Sequence, residues 1–265
     1  MEIVAEVTPD SAGWELLSAR VINLRADETF TVSSVTDETA LVVVCGTVDV
    51  RVDALVATIS RGTVFGELTD LVYAPPGAAI ELTAAGPAQI AIGQAPADGR
   101  HPARIIGTTE MTGVIRGGGP ARRQVMAPLA GALPAERLLV YEGWVPRGSW
   151  TGWPPHRHDG FAGSPKLEET YYYRFDRPSG FGFHRNYAPE EQWEDFHLLR
   201  DQALVPVPRG YHLCGNGPAA NMWLLNFLAG PTQDRDRLPY VDPTELWMQD
   251  DWAAGAMTLP AVPLR

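Results

Sequence analysis

Four side chains in the second half of the sequence have the types and spacing of a metal site. His156 and His158 are separated by one residue and follow two prolines, which favour an extended backbone before them. In a strand, residues i and i+2 point to the same side, so both imidazoles could reach one cation. Glu169 lies near the start of a later aromatic run, and His212 follows a Pro-x-Gly turn. Three imidazoles and one carboxylate suit zinc, iron or manganese and leave room for water or substrate.

The carboxylate of this set has a direct competitor. Glu168 immediately precedes Glu169, and successive residues of a strand face opposite sides. Glu169 therefore shares a side with Tyr171, whereas Glu168 shares one with Tyr172. The spacing leaves both carboxylates open as ligands.

The elements that must position these side chains are short. The 23 Pro and 26 Gly residues are spread along the chain, and short apolar, β-branched runs lie between them. Runs of this length bounded by turn residues predict strands, and therefore an all-β sandwich or barrel. The runs are Thr29–Val35, Ala40–Cys45, Val48–Val52, Ile80–Thr83, Gln89–Ile92, Arg137–Val145, Glu169–Phe175, Gly182–Tyr187, Ala203–Val207 and Asn221–Phe227.

A weak internal repeat relates the two halves. Asp37-Glu38 opens one run and Glu168-Glu169 opens another, and a Pro-x-Gly turn follows each acidic pair about forty residues later. This alignment places Ala79 where the second half has His212. We predict two β units, residues 1–115 without a metal site and residues 116–265 with one.

Charge and composition exclude several classes of partner. The formal net charge of −11 would repel nucleic-acid phosphates and an anionic membrane surface. The start of the sequence lacks a basic segment followed by an apolar one, so we expect no signal peptide. Cys45 and Cys214 are far apart, and we expect two buried thiols and no disulfide. A cytoplasmic protein fits these features.

The motifs together resemble one family. HxH, then Glu, then PxGxxH looks like the two cupin motifs, and longer segments are similar to the 5-deoxy-glucuronate isomerases of myo-inositol catabolism. The resemblance implies a bicupin of two tandem jelly-roll-like barrels and an aldose–ketose isomerisation of 5-deoxy-D-glucuronate to 5-dehydro-2-deoxy-D-gluconate. It extends, more distantly, to the 4-deoxy-uronate ketol-isomerases of pectin breakdown. The segments are Val7–Leu17, Pro102–Ile105, Arg116–Gly119 (RGGG), Trp153–Asp159 (WPPHRHD), Leu167–Arg174 (LEETYYYR), Val207–His212 (VPRGYH) and Leu224–Gly230 (LLNFLAG).

The resemblance also implies roles for individual residues. It places one divalent metal per chain, zinc before manganese or iron, on His156, His158, Glu169 and His212. Glu169 is preferred to Glu168 because the pectin-pathway relatives keep a Glu at the position before x-Tyr. A base must also move the substrate's proton, and the sequence offers four candidates that it does not separate: Glu168, Tyr171, His184 and Tyr187.

A sugar acid also needs a group that binds its carboxylate, and arginine can do so with two hydrogen bonds. The candidates are Arg185, which we prefer, Arg174 and Arg209. Beyond this small-molecule partner, we expect a homo-oligomer, with the first unit covering the catalytic barrel and presenting a subunit interface.

The sequence also departs from the family pattern. The loop between His158 and Glu169 is short, and His184 stands where the isomerases have Gln. These differences leave open an isomerase of another deoxy-uronate. The same ligands would also serve an iron-dependent cupin dioxygenase, and a sugar-acid-binding bicupin without catalysis is a third alternative.

Overall fold

The computed structural model describes residues 1–250, which form mainly β-strands, with a short α-helix at Pro9–Ala12 and several single 3₁₀ turns. The predicted all-β class is therefore confirmed. The helix is a single turn whose first backbone groups are capped by Thr8, which accepts a hydrogen bond from the Ser11 N–H. None of the helices in residues 1–250 has the length and apolar character to cross a bilayer.

The first half consists of nine antiparallel strands. They are β1 (Glu2–Val7), β2 (Ser18–Leu24), β3 (Thr29–Ser33), β4 (Asp37–Val52), β5 (Leu55–Arg61), β6 (Leu71–Ala74), β7 (Ala79–Ala84), β8 (Ala88–Pro96) and β9 (Arg104–Ile106). The main sheet has the order β1-β2-β8-β4-β6-β9, and the far end of β4 pairs with β5 and β7. The runs 40–45 and 48–52, predicted as two strands, are one strand, because β4 continues from one layer of the sandwich into the other.

The second half repeats this plan with two separate sheets. Its strands are β10 (Thr112–Arg116), β11 (Arg123–Leu129), β12 (Leu138–Val145), β13 (Trp150–Arg157), β14 (Glu168–Phe175), β15 (Gly182–Ala188), β16 (Trp193–Leu199), β17 (Leu204–Val207), β18 (Tyr211–Asn216), β19 (Met222–Ala229) and β20 (Tyr240–Val241). One sheet has the order β10-β11-β12-β19-β14-β17 and the other β16-β15-β18-β13-β20. β10 pairs with β11, so the ladders of this half begin at Thr112, four residues before the predicted start at 116.

The two halves pack sheet against sheet around one apolar core. Buried side chains of both halves, such as Leu17 and Val42 from the first and Trp223 and Phe227 from the second, belong to the same cluster. A Cβ atom at Gly93 would lie 2.3 Å from the Phe227 ring, so only glycine allows β8 to approach β19 this closely.

Two buried carboxylates join the halves reciprocally. Glu38 of the first half accepts hydrogen bonds at 2.7 to 2.9 Å from three backbone N–H groups of the second half, in Glu136, Arg137 and Leu138. Glu168 of the second half accepts three at 2.7 to 2.9 Å from the first half, in Glu15, Leu16 and Leu17. Both carboxylates bind the segment that leads into a strand of the other half.

This symmetry corrects the repeat alignment by one residue. Glu38 lies opposite Ala95 on β8, and Glu168 lies opposite Ala229 on β19, so the structural counterpart of Glu38 is Glu168. Thr39, and not Glu38, stands where the second half has Glu169. The sequence pattern missed this offset because both acidic pairs begin a strand and only the hydrogen-bonded register distinguishes their faces.

Candidate metal centre and active site

The three histidines of the predicted site converge. His156 and His158 lie on β13 and at its end, and His212 lies on β18 directly opposite His156 in the antiparallel ladder. One ring nitrogen from each histidine lies within 4.8 Å of the others, the spacing needed to hold one ion. The i, i+2 alternation therefore places both histidines of β13 on the side that faces His212.

Glu169 completes this group from the neighbouring sheet. Its Oε2 atom lies 2.9 Å from His158 Nε2 and 3.2 Å from His212 Nε2. Glu168 is turned to the opposite side of β14, where the three N–H groups of the first half bind it. The structure thus brings Glu169, and not its neighbour, to the histidines.

Neighbouring groups hold the ligands in orientation. The Leu167 carbonyl oxygen lies 2.8 Å from His158 Nδ1 and can only accept, so Nδ1 carries the proton and Nε2 faces the site. The Asn226 side chain donates a hydrogen bond of 2.8 Å to Glu169 Oε1, which leaves Oε2 for the ion. Such partners fix the tautomer and the angle of metal ligands.

His212 supplies the test of whether a metal fits. It is fully buried, and neither of its ring nitrogens makes a hydrogen bond within residues 1–250. Leaving a buried polar atom without a partner costs about 1–3 kcal/mol, and Nε2 faces Glu169 Oε2 at 3.2 Å without a hydrogen bond, so this nitrogen calls for an external partner. A divalent cation among three imidazoles and one carboxylate would satisfy Nε2, and the residues present fit such an ion.

The electrostatics of the group also favour a metal. Burial, and then the neighbouring His212 and His158, hold the pKa of His156 well below its usual value, and burial also lowers the pKa of His212. Burial would raise the pKa of Glu169, but the adjacent His158 and His212 rings outweigh it and lower that pKa. His156 and His212 are thus held neutral beside an ionised carboxylate, as metal binding requires. Burial would also lower the pKa of His158, but its contact with Glu169 outweighs burial and raises it, so this ring would release its extra proton when a metal binds.

A cavity opens on these ligands. Its wall includes His156, His158 and Glu169, together with the Tyr171 and Asn226 side-chain positions on the adjacent strands. Tyr171 is buried, and burial followed by the Glu169 charge raises its pKa well above the usual value. The Tyr171 hydroxyl is therefore protonated and can donate to a ligand in the cavity.

Comparison with known proteins assigns the family. A sequence model described as the KduI/IolB family matches residues 1–248. The chain belongs to this family. The 5-deoxy-glucuronate isomerase of Geobacillus thermodenitrificans is 32% identical over 87% of this chain and 86% of its own length. The enzyme of the same name from Bacillus subtilis strain 168 is 30% identical over 94% of this chain and 93% of its own.

Solved structures agree on the architecture. The IolB-like protein of Salmonella typhimurium LT2 superposes with a TM-score of 0.89 at 30% identity, covering 93% of this chain and 95% of that one. Bacillus subtilis oxalate decarboxylase, a protein with Mn(II) centres, superposes with a TM-score of 0.64 at 12% identity over 89% of this chain and 74% of its own. The latter likeness concerns the fold alone, and with the two-sheet plan of each half it bears out the bicupin.

Three of the four residues predicted to transfer protons in this KduI/IolB-family chain do not line the cavity, although the His184 ring lies 6.2 Å from that of His212. Glu168 binds backbone groups of the first half. The Tyr187 hydroxyl donates a hydrogen bond of 2.6 Å to Asp242, outside the cavity. His184 is fully buried, its two nitrogens bond to Tyr173 and Asn186, and burial lowers its pKa to about 3. Only Tyr171 of the predicted set lines the cavity.

The three arginines predicted to bind the substrate carboxylate do not line the cavity, and each is paired with an acidic side chain outside it. Arg185 pairs with Glu194 at 2.6 Å, Arg174 with Asp201 at 2.9 Å and Arg209 with Glu191 at 2.8 Å. The side chains that line the cavity instead include Arg116, Arg123, Arg235, Arg237 and Tyr141. Arg116 lies in the RGGG segment, the one signal in the sequence that pointed to this wall.

The first half has different side chains at the corresponding positions. Ala79 pairs with Ser33 across β7 and β3, as His212 pairs with His156 across β18 and β13. Together with Thr39 at the Glu169 position, these residues offer no imidazole and no carboxylate. Within residues 1–250, the one group of three or more potential metal ligands found at ion-binding distance is His156, His158 and His212.

Proposed function

We propose that this KduI/IolB-family chain is a metal-dependent aldose–ketose isomerase that converts 5-deoxy-D-glucuronate to 5-dehydro-2-deoxy-D-gluconate in the breakdown of myo-inositol. The observation that carries the proposal is the cluster of His156, His158, His212 and Glu169, of which all but His212 line the wall of a cavity. Relatives named 5-deoxy-glucuronate isomerase that align over most of the chain support the substrate. His184, the departure that left the substrate open, is buried outside the cavity lining.

The metal that we propose is one zinc ion per chain, held by the four predicted ligands. A bound divalent ion would supply a Lewis acid that polarises the carbonyl and the adjacent hydroxyl of an α-hydroxy aldehyde, and this would acidify the C–H bond of the carbon that carries the hydroxyl. Asn226 keeps Glu169 Oε2 directed at the ion by binding Oε1, and Leu167 holds the His158 ring. The first half serves as a structural cupin in this proposal.

Tyr171 has the position and protonation state of the acid in this reaction. Isomerisation moves one proton from C2 to C1 and a second proton from the C2 hydroxyl to the former aldehyde oxygen, so that C2 becomes the ketone carbonyl. The Tyr171 Oη–H, kept protonated by burial, can donate to the aldehyde oxygen as negative charge develops on it, and the proton lost from the C2 hydroxyl restores the Tyr171 hydroxyl.

Transfer through an enediolate predicts exchange with solvent. When zinc-loaded protein converts 5-deoxy-glucuronate in D₂O, we expect deuterium on the carbon that becomes CH₂OH. NMR of that carbon measures the incorporation. A shielded base can return part of the original proton, so partial incorporation agrees with the proposal. Complete retention of the substrate hydrogen even after long equilibration would instead require a hydride shift.

The unlike halves predict one metal per chain. Protein stripped with a chelator and reloaded with excess zinc should retain about one equivalent after gel filtration, measured by elemental analysis, because Ser33, Thr39 and Ala79 replace ligands in the first half. Two tightly held equivalents would contradict the assignment of the first half as a structural cupin.

Two further experiments separate the alternatives. Oxygen uptake by the iron-loaded protein would favour a cupin dioxygenase, and sugar-acid binding without product would favour a binding protein.

We also propose that the enzyme acts in the cytoplasm as a homo-oligomer, and sedimentation of the full chain tests the subunit number. Cys45 and Cys214 are both free thiols; Cys214 is buried, as predicted, whereas Cys45 is only partly buried.

A further inference from the structure

Two arginines face each other on the cavity wall beside the proposed metal site. Arg116 ends β10 and Arg123 begins β11, and the antiparallel ladder pairs them directly. Like charges at directly opposed positions destabilise a strand pair. Both residues line the cavity that contains the histidines and Glu169. The pair therefore concentrates positive charge beside the site of the reaction.

Neither arginine is neutralised by a carboxylate within residues 1–250. Arg123 Nη1 donates to the carbonyl oxygens of Ala121 at 3.0 Å and Trp153 at 3.4 Å, which fix the plane of the guanidinium. Its Nε–H is buried and has no hydrogen-bond partner in the described chain. The residue is oriented by backbone groups and retains unused donors in a partly buried setting.

The turn between the two strands is built to hold this guanidinium. Gly117 has φ of +69°, and a Cβ there would lie 2.2 Å from the Ala121 oxygen and 2.8 Å from Arg123 Nη1. Any side chain at this position would therefore push the turn off the arginine. This contact explains physically why a glycine follows Arg116 in the RGGG segment.

The other two arginines of the cavity have structural duties. Arg235 donates to the carbonyl oxygens of Gly131, Leu133 and Leu138 with its three nitrogens. Arg237 pairs with Asp234 at 2.6 Å. Of the four guanidinium groups on the wall, those of Arg116 and Arg123 remain for a ligand.

We infer that Arg123, assisted by Arg116, forms the binding site for the carboxylate of the sugar acid. This inference rests on the proposed function and adds to it the residues that select a uronate over a neutral sugar. A planar, fixed guanidinium matches a carboxylate with two hydrogen bonds, and an anion between the two arginines offsets their repulsion. In 5-deoxy-glucuronate the carboxylate lies at the opposite end of the carbon chain from the aldehyde, so its site belongs on the wall and apart from the metal ligands.

The test compares an acidic with a neutral sugar on the zinc-loaded full chain. D-glucuronate and D-glucose are titrated calorimetrically into wild type, Arg123→Gln, Arg123→Lys, Arg116→Gln and Arg122→Gln. Arg122 is an exposed neighbour, so its replacement removes the same charge without touching the cavity pair. We expect Arg123→Gln to weaken D-glucuronate binding at least about tenfold, as loss of a charge-assisted pair does, and to leave D-glucose binding unchanged.

The remaining variants grade the effect. Arg123→Lys keeps the charge without the fork and should recover part of the affinity, Arg116→Gln should lose less because it is exposed, and Arg122→Gln should match wild type. Zinc content and the thermal unfolding midpoint are measured for every variant. If Arg123→Gln does not fold, Arg123→Lys and Arg116→Gln decide, and wild-type affinity for D-glucuronate in both overturns the inference.

The outcomes distinguish this inference from the proposed reaction. Unchanged D-glucuronate affinity in folded, zinc-loaded Arg123→Gln, or equal loss for both sugars, overturns the carboxylate site. So does a wild type that does not prefer D-glucuronate to D-glucose. Absence of turnover of 5-deoxy-glucuronate by a wild type whose D-glucuronate binding depends on Arg123 would overturn the isomerase proposal and leave the carboxylate site standing.

Discussion

Replacement of His212 with Ala is expected to remove the bound metal and all measurable isomerisation while the β-fold remains. The His212 ring is fully buried, and its Nε2 atom lies 3.2 Å from Glu169 Oε2 without a hydrogen bond in the described chain. This nitrogen therefore needs an external partner, which the metal would supply. The loss of metal affinity should exceed the roughly 10–100-fold that removal of an outer-sphere partner costs. His156→Ala and His158→Ala should behave in the same way.

The measurement is zinc content after dialysis against a weak chelator, together with circular dichroism and turnover. His197→Ala is the matched control, because His197 is a partly exposed histidine paired with Asp195. We expect this control to retain zinc and activity. Retention of a full equivalent of zinc by His212→Ala would show that the ion binds elsewhere.

Replacement of Glu168 with Gln should destabilise the protein without removing its metal, and Glu169→Gln should have the opposite effects. The Glu168 carboxylate accepts three backbone N–H groups of the first half. An amide has one acceptor oxygen and would turn an NH₂ group towards buried donors, so we expect a loss of roughly 3–5 kcal/mol in the free energy of unfolding. Glu169→Gln removes the ionised ligand but leaves this junction intact.

Denaturant unfolding and zinc analysis on the same preparations test both statements. Glu38→Gln is the control for stability, because Glu38 also binds three N–H groups of the other half, and it accepts a further hydrogen bond of 2.7 Å from the Tyr73 hydroxyl. We expect it to lose at least as much stability as Glu168→Gln and to retain zinc. Loss of zinc from Glu168→Gln with retention in Glu169→Gln would mean that the ligand carboxylate has been assigned to the wrong residue.

The metal ligands were predictable because strand alternation is a local property. Two histidines spaced i, i+2 share a face of any strand, and the Pro-x-Gly turn predicts the start of the strand that carries the third histidine. The same locality explains why eight of the ten predicted runs each correspond closely to one strand and why the other two differ only in being joined in β4. The comparison with isomerase relatives selected Glu169 where the spacing left two choices.

Residues whose role depends on a distant partner were the ones that the sequence could not place. Glu168, His184 and Arg185 were candidates for the active site, yet they do not line the cavity, and their partners come from the first half, from β14 and from β16. The residues missed, Arg116 and Arg123, reach the cavity only because β10 and β11 fold against the metal-binding sheets. No local pattern in the sequence shows which of several arginines is paired with an acidic side chain in the folded protein.

The sequence by itself determined the all-β class, the positions of most strands and the histidines of the metal site, since apolar runs, turns and two-residue alternation act within a few positions. The tertiary structure decided which carboxylate faces the histidines, how the repeat aligns and which arginines face the cavity. These depend on register and on packing between the two halves, where a shift of one residue reverses every face. Glu168 and Glu169 show the difference, because adjacent and chemically identical side chains serve the junction and the metal site respectively.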